Sequence, residues 1–186
     1  MDKKSLRHDL FAKRNSIPII ERKEKSASIK QRLQELEIYQ EAYTVFYYVS
    51  FGSEVNTHAL IKEALHDKRV GVPLVDDKKL LAKEITAYNQ LKTGYKGILE
   101  PSYERKSIDL ADIDVIIVPA VAYDKRHYRL GYGGGYYDRL LANPKSSPAT
   151  HFVSIGLAFE EQIADDLPVE DHDQKVDFIV TDKRII

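Results

Sequence analysis

Apolar positions open the chain at helical spacing. Leu6, Leu10 and Phe11 share one face of a segment running from about Lys3 to Arg14. Ser16-Ile17-Pro18 interrupts it, and Pro18 suits the first turn of a second helix. That helix carries Ile20, Ala27, Leu33 and Leu36 among many charges and is predicted to reach Gln40. The pattern then changes. Thr44 to Ser50 (TVFYYVS) is a β-branched and aromatic run of strand length. Gly52-Ser53 makes a turn, and Asn56 or Thr57 can cap a helix through Asp67 with Leu60, Ile61, Ala64 and Leu65 inward. Arg69 to Val75 reads as a short strand interrupted at Pro73. A hairpin turn at Asp76-Asp77-Lys78-Lys79 leads into Leu80 to Thr86, and Tyr88 to Lys106 reads mostly as loop.

Asp114 to Pro119 (DVIIVP) is apolar without alternation, as expected of a strand covered on both faces. A long polar segment follows it. Tyr136 to Ala142 reads as helix, Asn143 to Thr150 as surface loop, Phe152 to Phe159 as a second buried strand, Glu160 to Ala164 as a short helix, and Val176 to Thr181 as a last strand. Buried strands alternating with helices predict an α/β fold, a three-layer α/β/α arrangement around a largely parallel open sheet. No repeat or linker divides the chain, so residues 1–186 are expected to form one domain.

Composition narrows the class. With 43% hydrophobic and 31% charged residues, the chain is neither disordered nor collagen-like. Its apolar runs fall far short of the ~20 residues a membrane helix requires. A net charge of −1 makes non-specific nucleic-acid binding a poor fit. The absence of cysteine excludes disulfides, thiolate catalysis and cysteine-ligated metal. No apolar core and cleavage site follow the charged start, so no secretory signal is expected. A cytoplasmic protein with no membrane partner is the resulting expectation. A monomer is expected because no heptad or long apolar stripe asks for a partner.

The densest irregularity is chemical. Four of the nine glycines fall between positions 131 and 135, and five of the twelve tyrosines between 123 and 137, with Lys125, Arg126, Arg129 and Arg139 nearby. The cluster follows a buried strand, and ligands in open α/β sheets bind beyond the carboxyl ends of strands. Glycine lets a backbone approach a ligand closely, and free amides suit an anion such as phosphate. It is not a Walker motif, because no Gly-Lys-Ser/Thr follows, nor a dinucleotide fingerprint, because Tyr136 stands where glycine is needed. A plain tight turn is the competing reading. Tyr132, Tyr136 and Tyr137 could stack on a flat ring or pack over the glycines. Asp138 could complement a helix dipole or bind magnesium beside phosphate. Arg129 could clamp phosphate or form a surface ion pair.

Arg129-Leu130-Gly131-Tyr132-Gly133-Gly134-Gly135-Tyr136-Tyr137-Asp138-Arg139, preceded by Val118-Pro119-Ala120-Val121-Ala122-Tyr123-Asp124, closely resembles the signature of the 5-formyltetrahydrofolate cyclo-ligase (methenyltetrahydrofolate synthetase) family. The resemblance spans nearly the whole chain. It includes Lys3-Lys4-Ser5-Leu6-Arg7, Glu54-Val55-Asn56-Thr57, Gly97-Ile98-Leu99-Glu100-Pro101, and Val169 to Thr181 with His172-Asp173. It implies a fold like that of sugar-phosphate isomerases and CoA transferases.

The resemblance also implies a reaction: 5-formyltetrahydrofolate and ATP become 5,10-methenyltetrahydrofolate, ADP and phosphate, with magnesium. The γ-phosphoryl group passes to the formyl oxygen, N10 attacks the activated carbon, and phosphate leaves. No protein nucleophile is required, so catalysis is positioning and charge stabilisation. By the same resemblance, Lys3, Lys4, Arg7, Arg129, Leu130, Gly131, Tyr132, Gly133, Gly134, Gly135, Tyr136 and Tyr137 bind ATP. Arg129, Tyr132, Gly133, Gly134 and Gly135 serve catalysis. Val49, Glu54, Tyr132, Gly133, Gly134, Gly135 and Tyr136 border the folate, Glu54 by accepting from the pterin edge. Asp138 is the leading magnesium ligand, with Asp173 and then Asp171 as candidates for a second. His172 reads as a loop histidine. Some relatives carry a cation within the glycine loop; here positions 132 and 134 are Tyr132 and Gly134, which throws that work onto Arg129, Arg139 or the N-terminal lysines. Two other readings remain open on the sequence: a non-catalytic folate- or RNA-binding relative, and an ATP-independent phosphosugar isomerase or CoA transferase-like enzyme.

Overall fold

Each residue of Val115-Ile116-Ile117-Val118 is buried, and in the computed structural model this strand runs through the middle of a six-stranded sheet. The structure describes residues 2–77, 79–94, 97–142 and 151–186. The expected surface loop at 143–150, and Lys78 of the expected hairpin turn, lie outside them.

Helices α1 (Lys3–Ser16), α2 (Ile19–Glu35) and α3 (Glu37–Glu41) precede β1 (Thr44–Phe46). Helix α4 (His58–Ala64) leads to β2 (Arg69–Asp76) and β3 (Lys79–Ile85), and the short pair β4 (Lys92–Thr93) and β5 (Leu99–Glu100) follows. The second half comprises β6 (Val115–Val118), β7 (Ala122–Asp124), β8 (Arg129–Leu130), α5 (Tyr136–Leu141), β9 (Val153–Leu157), β10 (Ile163–Ala164) and β11 (Phe178–Val180). The main sheet has the order β11-β9-β6-β1-β2-β3. Its first five strands are parallel, and β3 closes one edge as the antiparallel arm of a hairpin with β2.

Side-chain alternation explains the unbroken apolar runs. Val115 and Ile117 point to a core shared with Ile29, Leu33, Leu60 and Ile61 of α2 and α4. Ile116 and Val118 point to the opposite core, with Leu140 and Leu141 of α5. Successive side chains of a strand face opposite sides, so helices on both faces require apolar residues at every position. The layers are unequal: α2, α3 and α4 pack on one face, α5 and the segment around Ile108 and Ile113 cover the other, and α1 packs through Leu6 and Leu10 on a small cluster of Ala122, Leu130 and Leu167.

Four sequence expectations are corrected. The second helix does not run unbroken to Gln40. Leu36 takes an extended conformation, and the chain restarts as α3, which carries Tyr39 into the core with its hydroxyl against that of Tyr47. The strand expected over Thr44 to Ser50 leaves the ladder after Phe46, although Tyr47 to Val49 remain buried; Tyr47 N–H still reaches Gly71 O at 2.9 Å. The helix expected over Glu160 to Ala164 is a single 3-10 turn followed by β10. Gln162 dictates this, because its buried amide donates to Ala120 O and Val121 O while its oxygen accepts Phe159 N–H. Finally, the polar segment after β6 contributes β7 and β8 to a second sheet, β10-β7-β8. Its turn is organised by the fully buried Asp124, which accepts from the backbone of Arg126, Tyr128 and Leu167 and from the Arg126 guanidinium.

Candidate active site at the strand ends

Strands β1, β2 and β6 are parallel, so their carboxyl ends deliver chain to the same edge of the sheet. Residues just beyond or at those ends line one cleft of about 950 Å³: Val49 and Glu54 after β1, Pro73 and Val75 in β2, and Pro119 after β6. Helix α1 and the glycine loop complete it. The size suits a sizeable ligand or two, at the upper end of the roughly 300–1,000 Å³ usual for small-molecule sites.

The sequence-expected residues converge. Lys3, Lys4, Arg7, Val49, Glu54, Arg129, Leu130, Gly131, Tyr132, Gly133, Gly134, Gly135, Tyr136, Tyr137, Asp138 and Asp173 all line this cleft. Asp171 is not among its lining residues, whereas Glu170 and His172 are.

The loop reaches its shape through glycine at two positions. Gly133 has φ of 100° and Gly135, immediately before α5, has φ of 64°, values at which other residues are strained. Its carbonyls are held by cations. Arg7 Nε donates to Gly131 O at 2.7 Å, and Arg139 Nη2 donates to Gly134 O at 3.0 Å. Arg129, delivered by β8, is buried; its Nη2 meets Asp138 Oδ2 at 2.7 Å. Among the described residues its Nε has no acceptor, and the nearby Tyr137 hydroxyl, also buried, has no partner. Buried donors normally find acceptors, so these two orphans in the cleft wall fit an oxygen-rich ligand.

The two expected metal ligands are already engaged. Asp138 pairs with Arg129 through Oδ2. Asp173 pairs with Lys3 and accepts the Glu170 N–H at 2.7 Å. The Lys3 ammonium also lies 3.2 Å from Glu170 Oε2. Burial works against ionising both partners, but their contact wins: Asp173 sits below the usual carboxylate range and Lys3 above the usual amine. Ligand atoms of Glu170, His172 and Asp173 lie within 4.8 Å of one another, and of the three only the two carboxylates are donors of the kind a hard cation takes.

Glu54 closes the far side of the loop. Its Oε2 accepts the Phe51 N–H at 2.8 Å, and its Oε1 accepts the Tyr132 hydroxyl. Burial raises its pKa, against the opposing pull of Tyr132, the Phe51 amide and Arg14. Tyr132, expected to stack or pack, keeps its ring 48% exposed while its hydroxyl is tied inward.

Two groups of lining residues were missed. Arg14 is buried at the cleft floor. Lys3, Arg7, Phe11 and Arg14 recur at helical spacing, so extending the stripe begun by Lys3 and Arg7 identifies it. The apolar wall of Phe51, Pro73, Val75, Leu80, Ile98 and Leu99 carries no such signal. Its residues read as ordinary strand and loop until β2, β3 and β5 bring them together.

Comparison with known proteins agrees with this geometry. The model of the 5-formyltetrahydrofolate cyclo-ligase family matches residues 1–182. A 5-formyltetrahydrofolate cyclo-ligase of Haemophilus influenzae is 29% identical over 92% of this chain and 92% of its own length. The Escherichia coli K12 protein of the same name is 34% identical over 77% of this chain and 80% of its own. The solution structure of Aquifex aeolicus 5,10-methenyltetrahydrofolate synthetase superposes with a TM-score of 0.87 and 32% identity, covering 100% of this chain and 92% of that one. With the match running from α1 through β11, and so taking in both the glycine loop and the segment that pairs with Lys3, the chain belongs to the 5-formyltetrahydrofolate cyclo-ligase family.

Proposed function

We propose that the protein converts 5-formyltetrahydrofolate and ATP to 5,10-methenyltetrahydrofolate, ADP and phosphate, with magnesium. The observation that carries this reading is the lining of the cleft: cations and carboxylates from α1, β8, α5 and the segment around Asp173 make one wall, apolar side chains from β2, β3 and β5 make the other, and the glycine loop and Glu54 line the same cleft. A nucleotide needs the first, a pterin with its aryl extension needs the second, and phosphoryl transfer needs them to meet.

Residue roles follow from the chemistry of each group. Lys3, Lys4 and Arg7 from α1 and Arg129 from β8 bring positive charge to the phosphates, and Arg129 Nε and the Tyr137 hydroxyl supply donors still without acceptors. The backbone of Gly131 to Gly135 allows close approach of the phosphates to the formyl oxygen. Asp138 and Asp173 would hold magnesium, which would screen phosphate charge. For Asp173 this would require Lys3 to leave its carboxylate and turn to the nucleotide. Glu54, pointing into the cleft beside Val49, accepts from the N–H edge of the pterin. Preorganised charge of this kind is the main catalytic device when no covalent intermediate with the protein forms.

The proposal extends to a monomer acting in the cytoplasm. Among the described residues, no helix is long and apolar enough to cross a membrane. The test is direct. Purified protein, 5-formyltetrahydrofolate and magnesium-ATP are mixed, and methenyltetrahydrofolate absorbance is followed with each component omitted in turn. Product requiring all three supports the reading. Product without ATP, or none from folded protein, rejects it.

A further inference from the structure

We propose that Arg14 is a positioning residue for this reaction, acting through the Tyr132 hydroxyl to aim the Glu54 carboxylate at the folate. The inference rests on the cyclo-ligase reading and adds a residue outside the glycine loop and the N-terminal basic turn.

Arg14 is only 2% exposed, yet its direct partners are neutral. Nε donates to Ser53 Oγ at 2.9 Å, and Nη1 donates to Ala120 O at 3.2 Å and to the Tyr132 hydroxyl at 2.7 Å. The guanidinium carbon lies 5.0 Å from the Phe11 ring centre and 5.6 Å from that of Tyr132. Burying a cation with no anion is costly, so a counter-charge is required nearby. Glu54 supplies it, one hydroxyl away.

The direction of that relay is fixed by donor chemistry. A guanidinium can only donate, and an ionised carboxylate can only accept. The Tyr132 oxygen therefore accepts from Arg14, and its proton points to Glu54 Oε1. Arg14 thus ties α1 to three separate segments: the turn after β1 at Ser53, the end of β6 at Ala120, and the glycine loop at Tyr132. Ser53 in turn donates to Asn15 Oδ1. A residue that served packing alone would need neither the charge nor this choice of partners.

The surroundings of Glu54 make Arg14 the group that matters for its charge. Tyr48 from the segment after β1, Tyr123 from β7, Tyr132 from the loop and Tyr137 from α5 all face it, each kept neutral by burial. Arg129 acts on Tyr123 and Tyr137. Arg14 is the cation whose field favours ionised Glu54, opposing the burial that disfavours it. Removing Arg14 therefore moves Glu54 protonation to higher pH, and folate binding that needs the carboxylate fails earlier as pH falls.

The experiment is calorimetric binding of 5-formyltetrahydrofolate from pH 5 to 8.5 for wild type, Arg14→Met, Arg14→Lys and Tyr132→Phe, with steady-state constants alongside. Arg14→Met should weaken folate binding about tenfold or more at neutral pH, the scale of losing a charge-assisted contact. Its acid limb should move to higher pH, and KM for ATP should change by less than about threefold, since the contact removed lies on the folate side. Arg14→Lys should return the limb towards the wild-type position while recovering only part of the affinity. Tyr132→Phe should raise the limb as well, and adding Arg14→Met to it should cost less than in the wild type. Lower thermal stability with an unmoved limb, or parallel changes in both substrates, overturns the proposal. If Arg14→Met does not fold, Tyr132→Phe decides alone by whether its limb moves. Wild-type protein that binds folate while the variants match it rejects this inference only; wild type that neither binds nor converts folate rejects the cyclo-ligase reading and this one with it.

Discussion

The two walls of the cleft are built on opposite principles. The polar wall is crowded with mutual satisfaction: Arg7 on Gly131 O, Arg129 on Asp138, Lys3 on Asp173 and Glu170. The apolar wall is left open, with Phe51 48% and Val75 52% exposed. A charged group waiting without a partner is expensive, so Arg7, Arg129 and Lys3 each hold a stand-in until a ligand displaces it, although Arg129 Nε and the Tyr137 hydroxyl have none among the described residues. An apolar group waiting in water costs far less, about 25 cal/mol per Å², so the second wall needs no stand-in. Polar preorganisation and apolar readiness therefore ask different things of the fold. The first demands specific long-range contacts; the second demands only surface of the right shape.

The comparison is open to breaking, first where it is strongest. Glu54→Ala should reduce kcat/KM for 5-formyltetrahydrofolate by about a hundredfold, the loss of a charged acceptor and of the Tyr132 anchor together; a loss confined to ATP would put Glu54 on the wrong wall. Arg129→Ala should raise the apparent ATP requirement by about thirtyfold and leave Asp138 unpaired. Unchanged ATP dependence would return Arg129 to a structural role. Asp138→Asn, with folding retained, should lower turnover about tenfold at limiting magnesium and less at saturation. Equal loss at all magnesium concentrations would remove it from the metal. Val75→Ala should raise KM for folate about threefold and leave ATP alone, as expected of trimmed apolar contact; an equal effect on both substrates would dissolve the division into walls.

The smallest expected effect concerns stability. Asp173 is held below its ordinary pKa, so its contribution is present above about pH 4, its unfolded value, and is lost as pH falls through the lower folded value. Melting temperature should therefore drop more steeply between pH 5 and 2 in wild type than in Lys3→Met, by about 2 °C. Identical slopes would mean the pair is too exposed to matter.

The sequence made the parallel sheet legible because Val115 to Val118 are apolar at consecutive positions, which only a doubly covered strand requires. It made the loop legible because glycines and tyrosines are concentrated there. It hid β7, β8 and β10 because strands of two or three residues held by Asp124 and Gln162 show no periodicity. It hid the break at Leu36, a backbone choice that any residue could make. The pairing of Lys3 with Asp173 was invisible for another reason: each was expected to contact ligand, and nothing in a linear pattern says that two residues 170 positions apart touch.

That contact has a consequence for how the protein comes into being. The first turn of α1 finds its anchor only when the segment containing Glu170 and Asp173 has been synthesised. At roughly 5–20 residues per second, the Lys3 ion pairs stay unmade for about ten seconds or more after Lys3 is made, while most of the parallel sheet can already pair. A ribosome-bound chain stalled before Glu170 could already seat Arg7 on Gly131 and Arg14 on Ser53 and Tyr132, while Lys3 would still wait for the partners it meets in the finished chain.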